Sequence, residues 1–115
     1  MKVIQDKYYR HIYTGDGWQY EETPGARSIT LPSFEQYEFF AHRDPVVKGY
    51  WIITEAQTGM LVWGARSTAR GLLTMAQVTA DRLRKRLAIE STNMDDLIQK
   101  EIAKYGLSPR YAPPD

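Results

Sequence analysis

The chain contains no cysteine and two histidines among its 115 residues. Without thiols there is no disulfide, no thiolate metal site and no thiol nucleophile. His11 and His42 fall on separate segments, at no spacing that pairs zinc ligands, so no metal is expected. No apolar run approaches the roughly 20 residues of a membrane span. The opening residues Met1-Lys2-Val3-Ile4-Gln5-Asp6 lack the apolar core of a signal peptide. A cytoplasmic location without membrane contact is the expectation, and the absence of cysteine fits it. A glycine-rich phosphate loop is also missing, because Gly15-Asp16-Gly17 has neither the lysine nor the strand-then-helix context. No nucleophile, base and orienting group can be assembled into a trio. The expectation is a protein that is not an enzyme and carries no cofactor.

What is present is one domain's worth of chain, 43% hydrophobic and 12% aromatic. Its strongest pattern runs from Tyr50 to Leu87. β-Branched and aromatic residues at 50–55 and 60–65 flank Ala56-Gln57-Thr58-Gly59, which predicts a β-hairpin with Gly59 at positive φ. With a bulge at Gly59, Trp51, Ile53, Leu61 and Trp63 share one face, and a one-residue slip would reassign the pairs. Both faces are apolar, which calls for cover on each. The helix that follows, 67–87, is capped by Ser67 or Thr68. Ala69, Leu72, Leu73, Ala76, Thr79, Ala80, Leu83 and Leu87 form its apolar arc.

Around this centre the remaining elements are placed by turn and cap chemistry. Residues 7–22 predict a first hairpin across Thr14-Gly15-Asp16-Gly17. Its aromatics either cover the second face of the central hairpin or form an exposed stacking surface. Ser33-Phe34-Glu35-Gln36 has the form of a capping box, and 33–42 reads as a short helix. A strand at 37–43 pairing with 50–55 is the alternative. Thr92 with Asp95 opens a second helix at 92–105, stopped by Gly106. The fold class is therefore α+β: antiparallel sheet from two hairpins, packed on a long helix and a second C-terminal one. The domain spans 1–107, and 108–115 is an extended, proline-rich tail, frayed or laid along a neighbour.

Charge is uneven although the net is +1. Residues 66–86 hold six cations against Asp81 alone. At helical period Arg70, Arg84 and Lys85 share an exposed side, with Arg66 just before the helix, and such a stripe suits a nucleic-acid backbone or another anion. The loop Gly64-Ala65-Arg66-Ser67-Thr68 leads a strand into a helix N-terminus, another place for an anion. Three functional expectations follow. The first is an interaction protein, homodimeric or bound to a protein partner, using an aromatic surface drawn from Tyr9, Tyr13, Trp18, Trp51 and Trp63. The second is a nucleic-acid-binding module using Arg66, Arg70, Arg84 and Lys85. The third is a small-molecule pocket lined by Trp51 and Trp63.

Overall fold

The computed structural model describes residues 2–113, in the order β1 (Lys2–Val3), β2 (Tyr9–Thr14), β3 (Gly17–Glu22), β4 (Arg27–Ile29), β5 (Phe39–Arg43), β6 (Tyr50–Glu55), β7 (Leu61–Arg66), α1 (Leu72–Ile89), α2 (Met94–Tyr105) and β8 (Tyr111–Ala112). The strands form three antiparallel sheets: β1 with β8, β2 with β3, and a four-stranded sheet in the order β4-β5-β6-β7. The architecture is α+β, two hairpins packed against a long helix and a second one.

The central hairpin pairs Trp51 with Ala65 and Ile53 with Trp63, so these four share the face that meets the helices. The register then shifts, and Thr54 pairs with Leu61. The extra residue is Val62, which packs against the core while Leu61 stays 56% exposed. Leu61 therefore leaves the face assigned to it from the alternation. Gly59 takes φ +66° in the connecting loop. Its carbonyl accepts the His11 N–H at 2.9 Å, which docks the loop on β2.

Residues 33–42 are not a helix. Ser33, the expected cap, has φ +73°, whereas a capping residue needs extended backbone. The segment instead makes two tight turns, Phe34 N–H to Leu31 O and Tyr37 N–H to Phe34 O, before entering β5. Phe39, Phe40, Ala41 and His42 are all buried. Phe39 and Ala41 join the core under the helices, and Phe40 stacks on Tyr8 at 4.7 Å. Consecutive residues buried toward opposite faces require a strand with cover on both sides.

α1 begins later than the apolar pattern implies. Thr68 caps a short 3-10 turn over Ala69–Gly71, its Oγ1 accepting the Gly71 N–H at 3.1 Å. The buried face of α1 is Met75, Ala76, Thr79, Ala80, Leu83 and Leu87, while Leu73 is 78% exposed. Asn93 rather than Thr92 caps α2, accepting the Asp96 N–H at 2.8 Å. Beyond Gly106 the chain returns across the molecule: Ser108 N–H bonds to Gln57 O, and β8 pairs with β1. Arg110 is buried there. Its Nε and Nη2 bind the two Glu38 oxygens at 2.7 and 2.9 Å, and its Nη1 donates to the carbonyls of Gln5 and Lys7. Tyr8 lies under the guanidinium at 4.0 Å. Burial pushes the Glu38 carboxyl up, but hydrogen bonds from Arg110, Tyr111 and Tyr8 outweigh that and hold it below the ordinary range. Of the expected tail, Pro114 and Asp115 lie outside the described residues.

Candidate interaction surface

β7 is an outer strand of the four-stranded sheet; the opposite edge, β4, is half its length. Sheet edges present unpaired N–H and C=O groups, and proteins ordinarily blunt them with charge, proline, bulges or shortness. β7 has such devices only at its ends, the bulge at Val62 and the charge of Arg66. Between them Trp63-Gly64-Ala65 carries no charge and no proline.

Beside this edge runs a groove between β7 and the start of α1. Its volume is about 490 Å³, and Trp63, Ala65, Arg66, Thr74, Met75 and Val78 are among the residues that line it. Trp63 separates it from a second hollow of about 330 Å³, lined by Val62, Arg82, Leu83 and Arg86. The Arg82 guanidinium lies 4.1 Å from the Trp63 ring centre, a stacked cation-π contact. Arg66 stacks over Tyr50 at 5.1 Å at the far end of the strand. Arg86 shares a surface ion pair with Glu90 at 3.5 Å. Val78, Arg82 and Arg86 are spaced four apart, so they form one row along α1, facing the β7 edge.

The fold therefore joins residues of two separate expectations. Arg66, assigned to a basic stripe, and Trp63, assigned to an aromatic surface, border the same groove. Arg84 belongs to the other flank of α1: it pairs with Asp81 and donates to Ser33 Oγ at 3.1 Å. Arg70 and Lys85 are exposed, the first on the 3-10 turn and the second on the solvent side of α1. Trp51 is 3% exposed, with the guanidinium groups of Arg27 and Arg43 at 5.5 and 5.1 Å from its ring centre, so it offers no surface. Arg82 and Arg86, two of the six cations of 66–86, belong to neither expected set. The missing information was rotational: which flank of the helix faces β7.

The other expected aromatics gather elsewhere. His11 is enclosed by Trp18 at 5.0 Å and by Tyr20 and Tyr105 at 4.7 Å each. Burial lowers its pKa, partly offset by Glu101. Tyr13 and Trp18 are 68% and 51% exposed, at the hairpin tip, while Tyr9 donates its hydroxyl to Gln5 Oε1 at 2.9 Å. The titratable group with the largest functional promise by its pKa is Glu55, pushed up to about 7 by burial. It is fully buried, and both carboxyl oxygens are used within its own loop, by the N–H groups of Gln57 and Thr58 and the Thr58 hydroxyl. Its role is to shape the β6–β7 turn. Among the described residues no cluster of three or more His, Asp or Glu side chains is placed to hold a metal ion, and no helix is long and apolar enough to cross a membrane. No family model, curated protein or solved structure matches the chain.

Proposed function

We propose that this chain is an interaction protein that receives an extended segment of a protein partner along the β7 edge. The observation that carries the reading is the uncharged stretch Trp63-Gly64-Ala65 on an edge strand with a groove beside it. An added strand gains affinity from main-chain hydrogen bonds and selectivity from alternate side chains. On one face those side chains meet Trp63 and the α1 row; on the other they meet Gly64 and Arg66. The nucleic-acid reading draws on the same cations. It is weakened because Arg84 is turned to the other flank of α1, toward Asp81 and Ser33, and the exposed rings of Tyr13 and Trp18 lie on a different hairpin.

Site-resolved hydrogen exchange tests the reading. In dilute isolated protein the outward-facing amides of β7 exchange freely, while those bonded to β6 are protected. Equal protection of both sets in dilute protein means the edge is closed by the chain itself and overturns the proposal. Protection that grows with protein concentration identifies the partner as a second copy.

A further inference from the structure

Resting on that reading of the edge, we infer that the segment taken up along β7 is acidic, with one carboxylate opposite Trp63, a bulky uncharged side chain opposite Gly64 and a second carboxylate opposite Arg66. Three observations support it.

The first is charge. Residues 66–86 carry six cations and one acid, and that acid, Asp81, is held by Arg84 on the flank away from the groove. Among the described residues neither Arg66 nor Arg82 pairs with a carboxylate; both lie over aromatic rings instead. Arg86 has only an exposed ion pair with Glu90, of the kind that contributes little and exchanges readily. A second copy joined edge to edge would bring a second set of these cations alongside the first. Coulomb repulsion opposes that arrangement and favours a strand bearing acids.

The second observation is Gly64. It sits in mid-strand, where glycine weakens a sheet, and its backbone is not in the left-handed region. A Cβ there would meet Ile52 Cγ1 and Trp51 O at 3.7 Å each, which is ordinary contact. Among the described residues nothing requires glycine at this position. The missing side chain leaves its cross-strand partner Ile52 half-buried, a shallow apolar seat beside the edge. Interior glycines in strands mark places where a ligand or another backbone comes close, and a bulky side chain from the next strand covers them.

The third observation is spacing. Opposed residues on neighbouring strands share a face, and successive residues alternate. A residue opposite Trp63 therefore lies on the helix side, within reach of the Arg82 and Arg86 row. Residues opposite Gly64 and Arg66 lie together on the other side. From Val62 to Arg66 the edge is roughly 13 Å long, enough to select four or five residues. Read antiparallel to β7, the preferred order is acid, any residue, bulky apolar, acid.

The test uses the full chain and a capped eight-residue peptide with Glu-Thr-Phe-Glu at its centre, flanked by threonine and valine. Binding is read by Trp fluorescence and by protection of β7 amides. Three comparison probes are a peptide with both glutamates replaced by lysine, the acidic peptide N-methylated at alternate backbone nitrogens, and an oligothymidylate. The expected result is binding of the acidic peptide with protection at 62–66, at least tenfold weaker for the lysine and N-methylated peptides. Arg82→Glu and Arg66→Glu, both surface changes checked for unaltered melting, each weaken the acidic peptide by tenfold or more. Equal binding of the acidic and lysine peptides, still lost on N-methylation, overturns the acidic preference and leaves the edge reading standing. Acidic binding indifferent to N-methylation overturns edge addition, and the inference with it. Binding of the oligothymidylate alone, or of no probe, overturns both.

Discussion

Gly59 and His11 meet backbone to backbone: the glycine carbonyl accepts the His11 N–H, and a Cβ on Gly59 would sit 2.6 Å from that same nitrogen. The loop is held against β2 because position 59 has no side chain, and φ +66° adds a second reason for glycine. Gly59→Ala has to strain the loop or lift it from β2. The expected cost is about 2–4 kcal/mol, measured as a loss of stability in chemical denaturation. A change below about 0.5 kcal/mol would show that the loop and β2 separate at little cost.

Gly64→Ala should act in the opposite sense. A methyl group fits the space, and the unfolded chain loses freedom, so the protein gains about 0.5–1 kcal/mol in the same denaturation measurement. Destabilisation would mean that the strand itself needs glycine there, removing one support for a partner seated over it.

Arg110→Ala leaves the Glu38 carboxylate half-buried without its two guanidinium hydrogen bonds and frees the carbonyls of Gln5 and Lys7. The expected loss is about 3 kcal/mol. Arg110→Lys should recover only part of it, since an ammonium cannot reproduce the two-pronged contact. Hydrogen exchange should show β1 and β8 opening first. Full recovery by lysine would mean that charge alone holds the two ends together.

Glu55 gives the stability a pH signature. Its folded pKa, about 7, lies above the ordinary carboxyl value, so the native state holds a proton that the unfolded chain releases. Its contribution is complete below the ordinary carboxyl pKa and is lost as pH rises through about 7. His11 and His42, both lowered by burial, act oppositely: their contribution is present above the ordinary histidine pKa and is lost as pH falls through their depressed values. The difference between the native chain and Glu55→Gln isolates the carboxyl. The variant loses an acceptor and should be less stable by about 1–2 kcal/mol near pH 5, and the gap should narrow by pH 8. Melting temperatures across that range decide it; a gap that widens with pH would mean the carboxylate is the favoured form in the fold.

The elements written in local chemistry were legible. The central hairpin, the first hairpin and both helices follow from alternation, turn residues and caps, each confined to a few neighbouring positions. The segment 33–42 was not, because its burial comes from two layers distant in sequence: Tyr8 against Phe40, and the helices against Phe39 and Ala41. Helical spacing of its aromatics was a coincidence of residues serving two faces of a strand. The groove was half legible. Trp63 and Arg66 were marked for different reasons, yet their meeting with Arg82 and Arg86 depends on how α1 is rotated over β7. The Glu38–Arg110 pair left no local trace, since neither residue has a neighbour in sequence that implies the other.

That pair spans 72 residues and so has a temporal meaning. At synthesis rates of about 5–20 residues per second, roughly 4–14 s separate the appearance of Glu38 from that of Arg110. During that interval Glu38 lacks the guanidinium that binds both of its carboxyl oxygens in the complete fold. Closure by Arg110 therefore follows the synthesis of everything it ties together, and a chain released before residue 110 lacks the cation that binds Glu38 and the carbonyls of Gln5 and Lys7.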